Sequence, residues 1–336
     1  MKIRILLISV ILAALCVSGV MAARKDGKVI VGYVASWGTT LPDAANLTHI
    51  DYAFGHVNST FDGVRIDNPS RLRDVVALKR KNRKLKVLLA IGGWGSGGFS
   101  EMASDPAKRK AFAEDCRRVV KEYGLDGIDI DWEYPGSGRA GIASSPDDKD
   151  NFVLLMRDLR KALGKGKLLT FASPATVSFY EFAPVMPYVD YVNVMAYDLN
   201  RPPSHHSALY RSPLSGDMTA DEGVKAHVSG GVPPSKIVLG VPFYGHGKSG
   251  VFPDFVNYRD IRCGEGMREV FDDKAGVPYM TDKDGNMVMT YDNPESLKLK
   301  CHYVNANGLG GIMIWECGGD TDDGILLKAV REGLSQ

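Results

Sequence analysis

Short apolar runs alternate with segments of helical periodicity from about residue 29 to the end of the chain. Runs rich in β-branched residues predict buried strands, and apolar residues that recur every three or four positions predict amphipathic helices. The predicted strands are Val29–Ser36, Thr48–Phe54, Lys86–Ile91, Gly127–Glu133, Leu168–Ala172, Tyr191–Tyr197, Ile237–Val241 and Gly311–Trp315. Eight such strands separated by helical segments favour the α/β class and a closed (β/α)8 TIM barrel over an open sheet.

Local signals predict the bounds of several helices and of one insertion. Asp105, which a proline follows, predicts a helix start, and Gly124 predicts its end. Ser145, also followed by proline, predicts the start of the next helix. The segment of about 246–300 is too long for one loop and one helix and contains short strand-like pieces. We therefore predict a small insertion between strands seven and eight.

The first residues have the features of a targeting segment. Lys2 and Arg4 precede the apolar stretch Ile5–Val17, and Ala22 ends a possible cleavage site. We predict a signal peptide over residues 1–22, a catalytic mature chain over 23–336, and secretion to the extracellular or periplasmic space. Cys16 offers a lipid-anchor alternative, which the bulky residue before it disfavours. In the mature chain the sequence predicts no membrane span.

The composition is that of an ordinary globular protein. The 336 residues are 24% charged and 44% hydrophobic, with a net charge of +1. This balance predicts no nucleic-acid partner, and we expect a monomer. Cys116 lies on the apolar stripe of a helix, so we expect it to be buried. A disulfide between Cys263 and Cys301 stays open as an alternative in an exported protein.

The run from Leu125 to Pro135 places three acids two residues apart, at Asp129, Asp131 and Glu133. Successive strand side chains point to opposite faces, so these three acids share one face. Like charges this close cannot all ionise, and at least one pKa must rise. That arrangement suits a general acid that keeps its proton near neutral pH. A solvated edge strand is the weaker alternative.

Aromatic and polar residues stand at the carboxyl ends of several predicted strands, where TIM barrels carry their active sites. Aromatic rings around acids suit a sugar, because its C–H faces stack on rings while its hydroxyls need polar partners. The residues in these positions are Trp94, Glu133, Met195, Tyr197, Asp198, Tyr244 and Trp315.

At these residues the chain resembles glycoside hydrolase family 18, the chitinase family. The run Asp126-x-x-Asp129-x-Asp131-x-Glu133 matches the acidic signature of that family, and the resemblance spans most of the mature chain. The other segments that look like the family are Gly32-Tyr33, Leu47–Phe54, Gly92-Gly93-Trp94, Tyr134-Pro135-Gly136, Met195-x-Tyr197-Asp198 and Trp315.

The resemblance implies a retaining, substrate-assisted hydrolysis of β-1,4-linked N-acetylglucosamine polymers or oligomers. Glu133 would protonate the glycosidic oxygen, and the acetamido oxygen of the substrate would attack the anomeric carbon. Asp131 would orient the acetamido group and turn between Asp129 and Glu133. Tyr197 would hydrogen-bond the acetamido oxygen, and Trp315 would form the floor. The further site residues that the resemblance implies are Tyr33, Phe54, Trp94, Tyr134, Met195, Asp198 and Tyr244.

One position departs from the family pattern. Ala90 stands where the family often has serine, so we expect Asp129 to lack a hydroxyl partner. We expect no cofactor and no metal, and we predict that His205 and His206 are solvated in a polar loop. Asp320 is a candidate helper of the site. Two other functions stay open: an endo-β-N-acetylglucosaminidase acting on N-glycans or peptidoglycan, and a non-catalytic, lectin-like chitin-binding protein.

Overall fold

The computed structural model describes residues 27–336, so the predicted signal peptide and Cys16 lie outside the described residues. In the described range, no helix combines the length and apolar character needed to cross a membrane. The strands are β1 (Val29–Ala35), β2 (His49–Val57), β3 (Val64–Ile66), β4 (Lys86–Gly92), β5 (Gly127–Asp131), β6 (Leu168–Pro174), β7 (Val192–Met195), β8 (Ile237–Pro242), β9 (Tyr244–Gly247), β10 (Phe255–Asn257), β11 (Arg268–Asp272), β12 (Val277–Thr281), β13 (Met287–Thr290) and β14 (Gly311–Trp315). The α-helices are α1 (Pro69–Ala77), α2 (Phe99–Ser104), α3 (Pro106–Tyr123), α4 (Asp148–Leu163), α5 (Phe182–Val185), α6 (Ala220–Ser229), α7 (Pro294–Ala306) and α8 (Ile325–Leu334).

A closed barrel of parallel strands forms the centre of the described chain. Its strands follow one another in the order β1, β2, β4, β5, β6, β7, β8 and β14. Strand β1 pairs with β2 on one side and with β14 on the other, which closes the ring. Strand β3 adds a short antiparallel edge to β2. The TIM barrel predicted from the sequence is therefore confirmed.

Strand β5 shows how alternating acids and apolar residues build a barrel strand. Ile130 and Trp132 are fully buried in the layer between the barrel and the helices, and the Trp132 ring stacks on Phe99 of α2 at 5.3 Å. The acids take the opposite, inner face, as predicted. Pairing with β4 ends at Asp131, so Glu133 stands just beyond the strand rather than at its predicted end.

The helix bounds agree with the sequence for α3 and differ for α4. Asp105 Oδ1 accepts the N–H of Ala107 at 2.7 Å, and Gly124 ends α3 with a left-handed φ of 66°. Helix α4 begins at Asp148, two residues after the predicted first helical residue, Pro146. The Asp148 carboxylate accepts the N–H of Ser145 at 2.8 Å and so holds that segment in a turn before the helix.

The insertion is a five-stranded antiparallel sheet with the order β10, β9, β13, β12 and β11. It begins at Tyr244 and ends at Thr290, whereas the predicted bounds were about 246 and 300. Helix α7 takes up the remaining residues and packs against α8 and β14. It therefore belongs to the ring of helices around the barrel.

The loop after β7 lies beneath the insertion. His205 and His206 are both fully buried, and the N–H of His206 donates to Thr290 Oγ1 at 3.2 Å. His205 Nε2 lies 3.2 Å from Asp272 Oδ2. The prediction that these histidines are solvated was wrong, because the sheet formed by β9 to β13, later in the chain, covers the loop.

All cysteines of the described chain are free. Cys116 is buried, as predicted. Cys263 is exposed whereas Cys301 is buried, and the Cys301 Sγ lies 3.5 Å from the carbonyl oxygen of Val330. The structure therefore has no disulfide between Cys263 and Cys301, and that alternative was wrong.

Candidate active site

Asp129 lies inside the barrel and accepts hydrogen bonds from three other strands. Thr170 Oγ1 and Tyr33 Oη each donate to it at 2.6 Å, and Asn193 Nδ2 donates at 3.3 Å. Burial raises the pKa of Asp129, and these hydrogen bonds limit the rise. Asn193 also reaches Asp51 Oδ2 at 3.3 Å. A hydrogen-bonded network of acids therefore fills the barrel beneath the site.

Asp131 stands one step nearer the barrel mouth on β5. Its side chain is buried, and its Oδ1 has no hydrogen-bond partner among the described residues. Burial raises the pKa of Asp131 well above its ordinary value, and the negative charges of Glu133, Asp129 and Asp51 add to the rise. Asp131 thus favours its protonated form and keeps one oxygen free to bind a ligand.

Glu133 follows β5 at the mouth of the barrel. Burial raises its pKa to about 7, and the negative charge of Asp198 adds to the rise. About half of such carboxyl groups carry a proton at neutral pH, which is the condition for a general acid. Asp131 and Glu133 interact closely enough to titrate as a pair.

Aromatic rings form a floor beside these acids. Trp315, at the end of β14, stacks on Phe54 at 5.7 Å with 22° between the ring planes. Tyr33 lies 5.5 Å from the Trp315 ring. Trp37 lies 6.3 Å from Phe54 and 6.5 Å from Trp315. The rings offer apolar faces next to a proton donor, which suits a sugar ring.

A cavity of about 460 Å³ continues from Phe54 along the loops after β1, β2 and β4. Trp37 and Trp94 line it, and each is 65% exposed. A Cβ at Gly93 would lie 2.7 Å from the Phe54 ring, so only glycine allows the loop after β4 to approach the floor this closely. Two exposed tryptophans in one groove indicate a binding surface.

Fixed polar groups line the same cavity. His56 Nδ1 lies 2.8 Å from Ser96 Oγ, and His56 Nε2 lies 2.8 Å from Asp67 Oδ2. Because each group already has a partner, its remaining hydrogen-bonding capacity points in a defined direction. The cavity thus combines ring faces with oriented hydrogen-bonding groups.

On the opposite side of the site, Tyr197 and Asp198 lie just beyond the end of β7. The strand stops at Met195, two residues before its predicted end. Tyr197 is buried, and its Oη donates to Met313 Sδ at 3.7 Å. A Cβ at Gly240 of β8 would lie 2.9 Å from Tyr197 Cε1. Glycine at that position makes room for the tyrosine ring.

Asp198 has a half-exposed side chain with several close partners. Tyr244 Oη donates to Asp198 Oδ1 at 2.6 Å, and His246 Nε2 lies 2.5 Å from the same oxygen. Burial opposes ionisation of Asp198, but the hydrogen bonds from His246 and Tyr244 outweigh it and lower the pKa to about 2. Asp198 is therefore a fixed negative charge at the site.

Among the described residues, Asp198, His206 and His246 form a group that could hold a metal ion. Each offers one ligand atom, and these atoms lie within 4.8 Å of one another. The sequence predicted no metal ligands, because Asp198, His206 and His246 are separated along the chain and form no recognisable metal-binding motif. No cofactor-binding arrangement was predicted either.

The structure places the predicted site residues at the same end of the barrel. Trp94 meets Tyr134 edge to face at 6.3 Å, and Tyr134 stacks on Phe179 at 4.7 Å. Asp320 has a different role, because its carboxylate accepts the N–H groups of Leu326 and Leu327 at 3.0 and 2.9 Å. It caps α8.

The sequence profile of Glycosyl hydrolases family 18 matches residues 29–320. This match covers most of the chain. The protein is a family 18 glycosyl hydrolase.

Relatives and solved structures agree with this family 18 assignment. The protein is 29% identical to Chitinase A1 of Niallia circulans over 94% of its own chain and 60% of that relative. It is 32% identical to Chitinase 1 of Aphanocladium album, with 80% and 70% covered. The structure of a family 18 N-acetylglucosaminidase from Paenibacillus barengoltzii matches with a TM-score of 0.82 and 38% identity, over 91% of this chain and 99% of that one.

Sequence reasoning missed part of this family 18 site. Asp51, Thr170 and Asn193 join the network around Asp129, although their positions on the inner strand face could have marked them. The expectation that Asp129 lacks a hydroxyl partner was wrong. The strand register pairs Asp129 with Thr170 of β6, which supplies a hydroxyl that Ala90 does not. Register between strands distant in sequence is not readable from periodicity.

Proposed function

We propose that this family 18 glycosyl hydrolase cleaves β-1,4-linked N-acetylglucosamine polymers or oligomers of the chitin type. The observation that carries the proposal is the acid pair of buried Asp131 and half-buried Glu133, with the pKa of Glu133 at about 7, at the same end of the barrel as the ring of Trp315. Relatives that bear the name chitinase support this substrate class.

The proposed mechanism is substrate-assisted and retains the β configuration. Glu133 donates its proton to the glycosidic oxygen as the bond to the anomeric carbon breaks. The acetamido oxygen forms a new bond to that carbon, which gives an oxazolinium ion. Asp131 passes its proton to Asp129 as it turns to the acetamido N–H, and its carboxylate then balances the positive charge. Glu133 then takes a proton from water, the water oxygen bonds to the anomeric carbon, and the bond from that carbon to the acetamido oxygen breaks.

Other residues hold the sugar in this scheme. Tyr197 hydrogen-bonds the acetamido oxygen, and Trp315 supports the reacting ring. Asp198 and Tyr244 bind sugar hydroxyls, and Tyr33 holds Asp129 in place. The residues proposed to line the rest of the cleft are Phe54, Trp94, Tyr134 and Met195.

Glu133→Gln tests the proposal. We expect turnover of chitin oligomers to fall by about 10²–10⁴, because the variant lacks the proton, while calorimetry still detects oligomer binding. Activity within about threefold of the wild type would contradict the role of Glu133, since a lost general acid has a far larger effect. NMR of the first product should show the β anomer, and an initial α anomer would exclude the retaining mechanism.

A conventional mechanism makes a different forecast. If Asp131 attacked the sugar, a slow fluorosugar substrate would leave a covalent adduct on Asp131. We expect mass spectrometry to find no adduct and a thiazoline mimic of the cyclised sugar to inhibit. An adduct on Asp131 would overturn substrate assistance and leave the glycosidase assignment intact.

Release of N-acetylglucosamine is a second candidate function, which the similarity to the Paenibacillus barengoltzii N-acetylglucosaminidase favours. Product analysis on chitin oligomers, an N-glycopeptide and peptidoglycan separates the candidates. Chitobiose and longer products support chitinase action, whereas successive loss of single N-acetylglucosamine units supports the second candidate.

We also propose that residues 1–22 direct secretion and are removed. N-terminal sequencing of protein recovered from the medium or periplasm should give a chain that begins at Ala23. Recovery of the chain with Met1 in the cytoplasm would contradict the proposal.

A further inference from the structure

We propose that Asp198, His206 and His246 form a binding site for a divalent transition metal of the Zn²⁺ class. We further propose that the bound metal inhibits the enzyme, and this second part rests on the proposed function. The three residues come from the loop after β7 and from strand β9 of the insertion. The fold thus brings them together at the edge of the sugar site.

The ligand types and spacing suit this metal. Two imidazole nitrogens and one carboxylate oxygen are typical Zn²⁺ ligands. His246 Nε2 lies 2.5 Å and His206 Nδ1 lies 3.9 Å from Asp198 Oδ1. In a tetrahedral site with bonds of about 2.0–2.1 Å, ligand atoms lie roughly 3.3 Å apart. One of the two observed distances is shorter than this value and the other is longer. We therefore expect side-chain rotations to bring the ligand atoms into position around an ion.

His206 supplies an independent observation that points to a ligand. Its side chain is fully buried, yet neither ring nitrogen has a hydrogen-bond partner among the described residues. Buried polar groups without partners are rare and destabilising. Nδ1 is directed toward Asp198 Oδ1, and a metal bound between them would satisfy it.

The groups around the ligands fix their orientation. His246 Nδ1 lies 2.7 Å from the carbonyl oxygen of Asp254, which directs Nε2 toward the cluster. Tyr244 Oη holds Asp198 Oδ1 at 2.6 Å. Such outer partners are typical of metal-binding histidines and carboxylates. With three protein ligands, a fourth position of a tetrahedral ion remains open.

Metal binding to the whole protein, prepared without a histidine tag, tests the site. We expect CoCl2 titration to give the visible absorption of a four-coordinate ion, and ZnCl2 calorimetry to give one site per chain. His206→Phe should weaken Zn²⁺ binding by at least about tenfold. The phenylalanine removes a ligand without breaking a hydrogen bond, and thermal melting verifies that the variant folds.

His205→Gln is the matched control, because His205 is the adjacent, equally buried histidine and lies outside the cluster. It should bind Zn²⁺ like the wild type. Asp198→Asn changes a half-exposed position and should also lower the affinity for Zn²⁺ by at least about tenfold. This variant tests the site independently if His206→Phe does not fold. The site would be overturned if the wild type did not bind Zn²⁺, or if both ligand variants bound it as tightly as the wild type.

Turnover measurements test the inhibitory part separately. Zn²⁺ should inhibit hydrolysis of a chitin oligomer by the wild type and by His205→Gln at concentrations that fill the site. The same concentrations should leave His206→Phe active. Binding without inhibition would overturn the inhibitory part alone. Failure of chitin as a substrate would leave the binding result unaffected, because that titration needs no turnover.

Discussion

Glu133 and Asp198 are acids at the same end of the barrel, yet their surroundings give them opposite protonation states. Burial raises the pKa of Glu133 to about 7, whereas donors from His246 and Tyr244 lower the pKa of Asp198 to about 2. One group can therefore give a proton at neutral pH while the other stays charged. The constant charge of Asp198 in turn raises the pKa of Glu133.

This coupling predicts a pH dependence. In the wild type, kcat/KM should fall as the pH rises through about 7, because Glu133 loses its proton there. Asp198→Asn removes a negative charge that favours the protonated form, so the high-pH limb should move to lower pH. The position of this limb is measured in a pH–rate profile with a fluorogenic chitobioside as the substrate.

Asp322→Asn is the control, because the Asp322 side chain is 93% exposed and is not among the groups that shift the pKa of Glu133. Its profile should match the wild type. A limb that stays in place or moves to higher pH in Asp198→Asn would contradict the coupling.

At the scale of single elements, the pattern along a strand was predictable but its partners were not. Alternation placed Asp129, Ile130 and Asp131 on the correct faces of β5, because side chains alternate with a period of two. It did not show that Thr170 pairs with Asp129 or that the insertion buries His206. Those contacts depend on register and on packing between segments far apart in the chain.

Two aspartates, one on β2 and one just before β5, should change stability in opposite directions. Burial, and then the charge of Asp129, raise the pKa of Asp51 well above its ordinary value. The raised pKa of Asp51 stabilises the folded protein at pH values below the pKa of Asp51 in the unfolded chain. This stabilisation is lost as the pH rises through the pKa of Asp51 in the folded protein. Asp51→Asn should therefore melt higher than the wild type at pH 8, with the difference shrinking toward pH 4. A pKa that is higher by one unit changes the free energy of unfolding by about 1.4 kcal/mol. This change shifts Tm by roughly 2 °C or more.

Asp126 supplies the contrast. Burial opposes its ionisation, but Lys79 at 2.5 Å and the N–H of Val87 at 2.9 Å lower its pKa overall. Its stabilising contribution is present above the unfolded pKa and is lost as the pH falls through the folded pKa. Asp126→Asn should melt lower than the wild type at pH 7 and approach it in acid. Shifts of the same sign in both variants would contradict the assigned pKa directions.

At the scale of the whole molecule, the two sides of the cleft have different sources. Strand β2 and the loops after β1 and β4 provide ring faces at Phe54, Trp37 and Trp94. The side beyond β7 and β8 carries Asp198 and the histidines beneath the insertion. The barrel supplies the reacting acids, and its loops supply an extended surface on one side.

That surface predicts a dependence on substrate length. Trp94→Ala should raise KM for long chitin oligomers by about 2- to 10-fold, because a stacked ring contributes about 0.5–1.5 kcal/mol. It should leave kcat and the KM for a chitobioside nearly unchanged. Tyr210→Ala is the control, since Tyr210 is 44% exposed and packs on Tyr303 of α7. An equal rise in KM for all lengths would exclude Trp94 from an extended surface.

The closure of the barrel by β14 has a consequence for biosynthesis. Strand β1 emerges from the ribosome first, but its partner β14 ends only at Trp315. Until that residue is free, the ring cannot close, and the floor beside Glu133 lacks its tryptophan. A nascent chain therefore cannot hold a finished site, and a chain interrupted before residue 311 leaves the edges of β1 and β8 open to pairing with other chains.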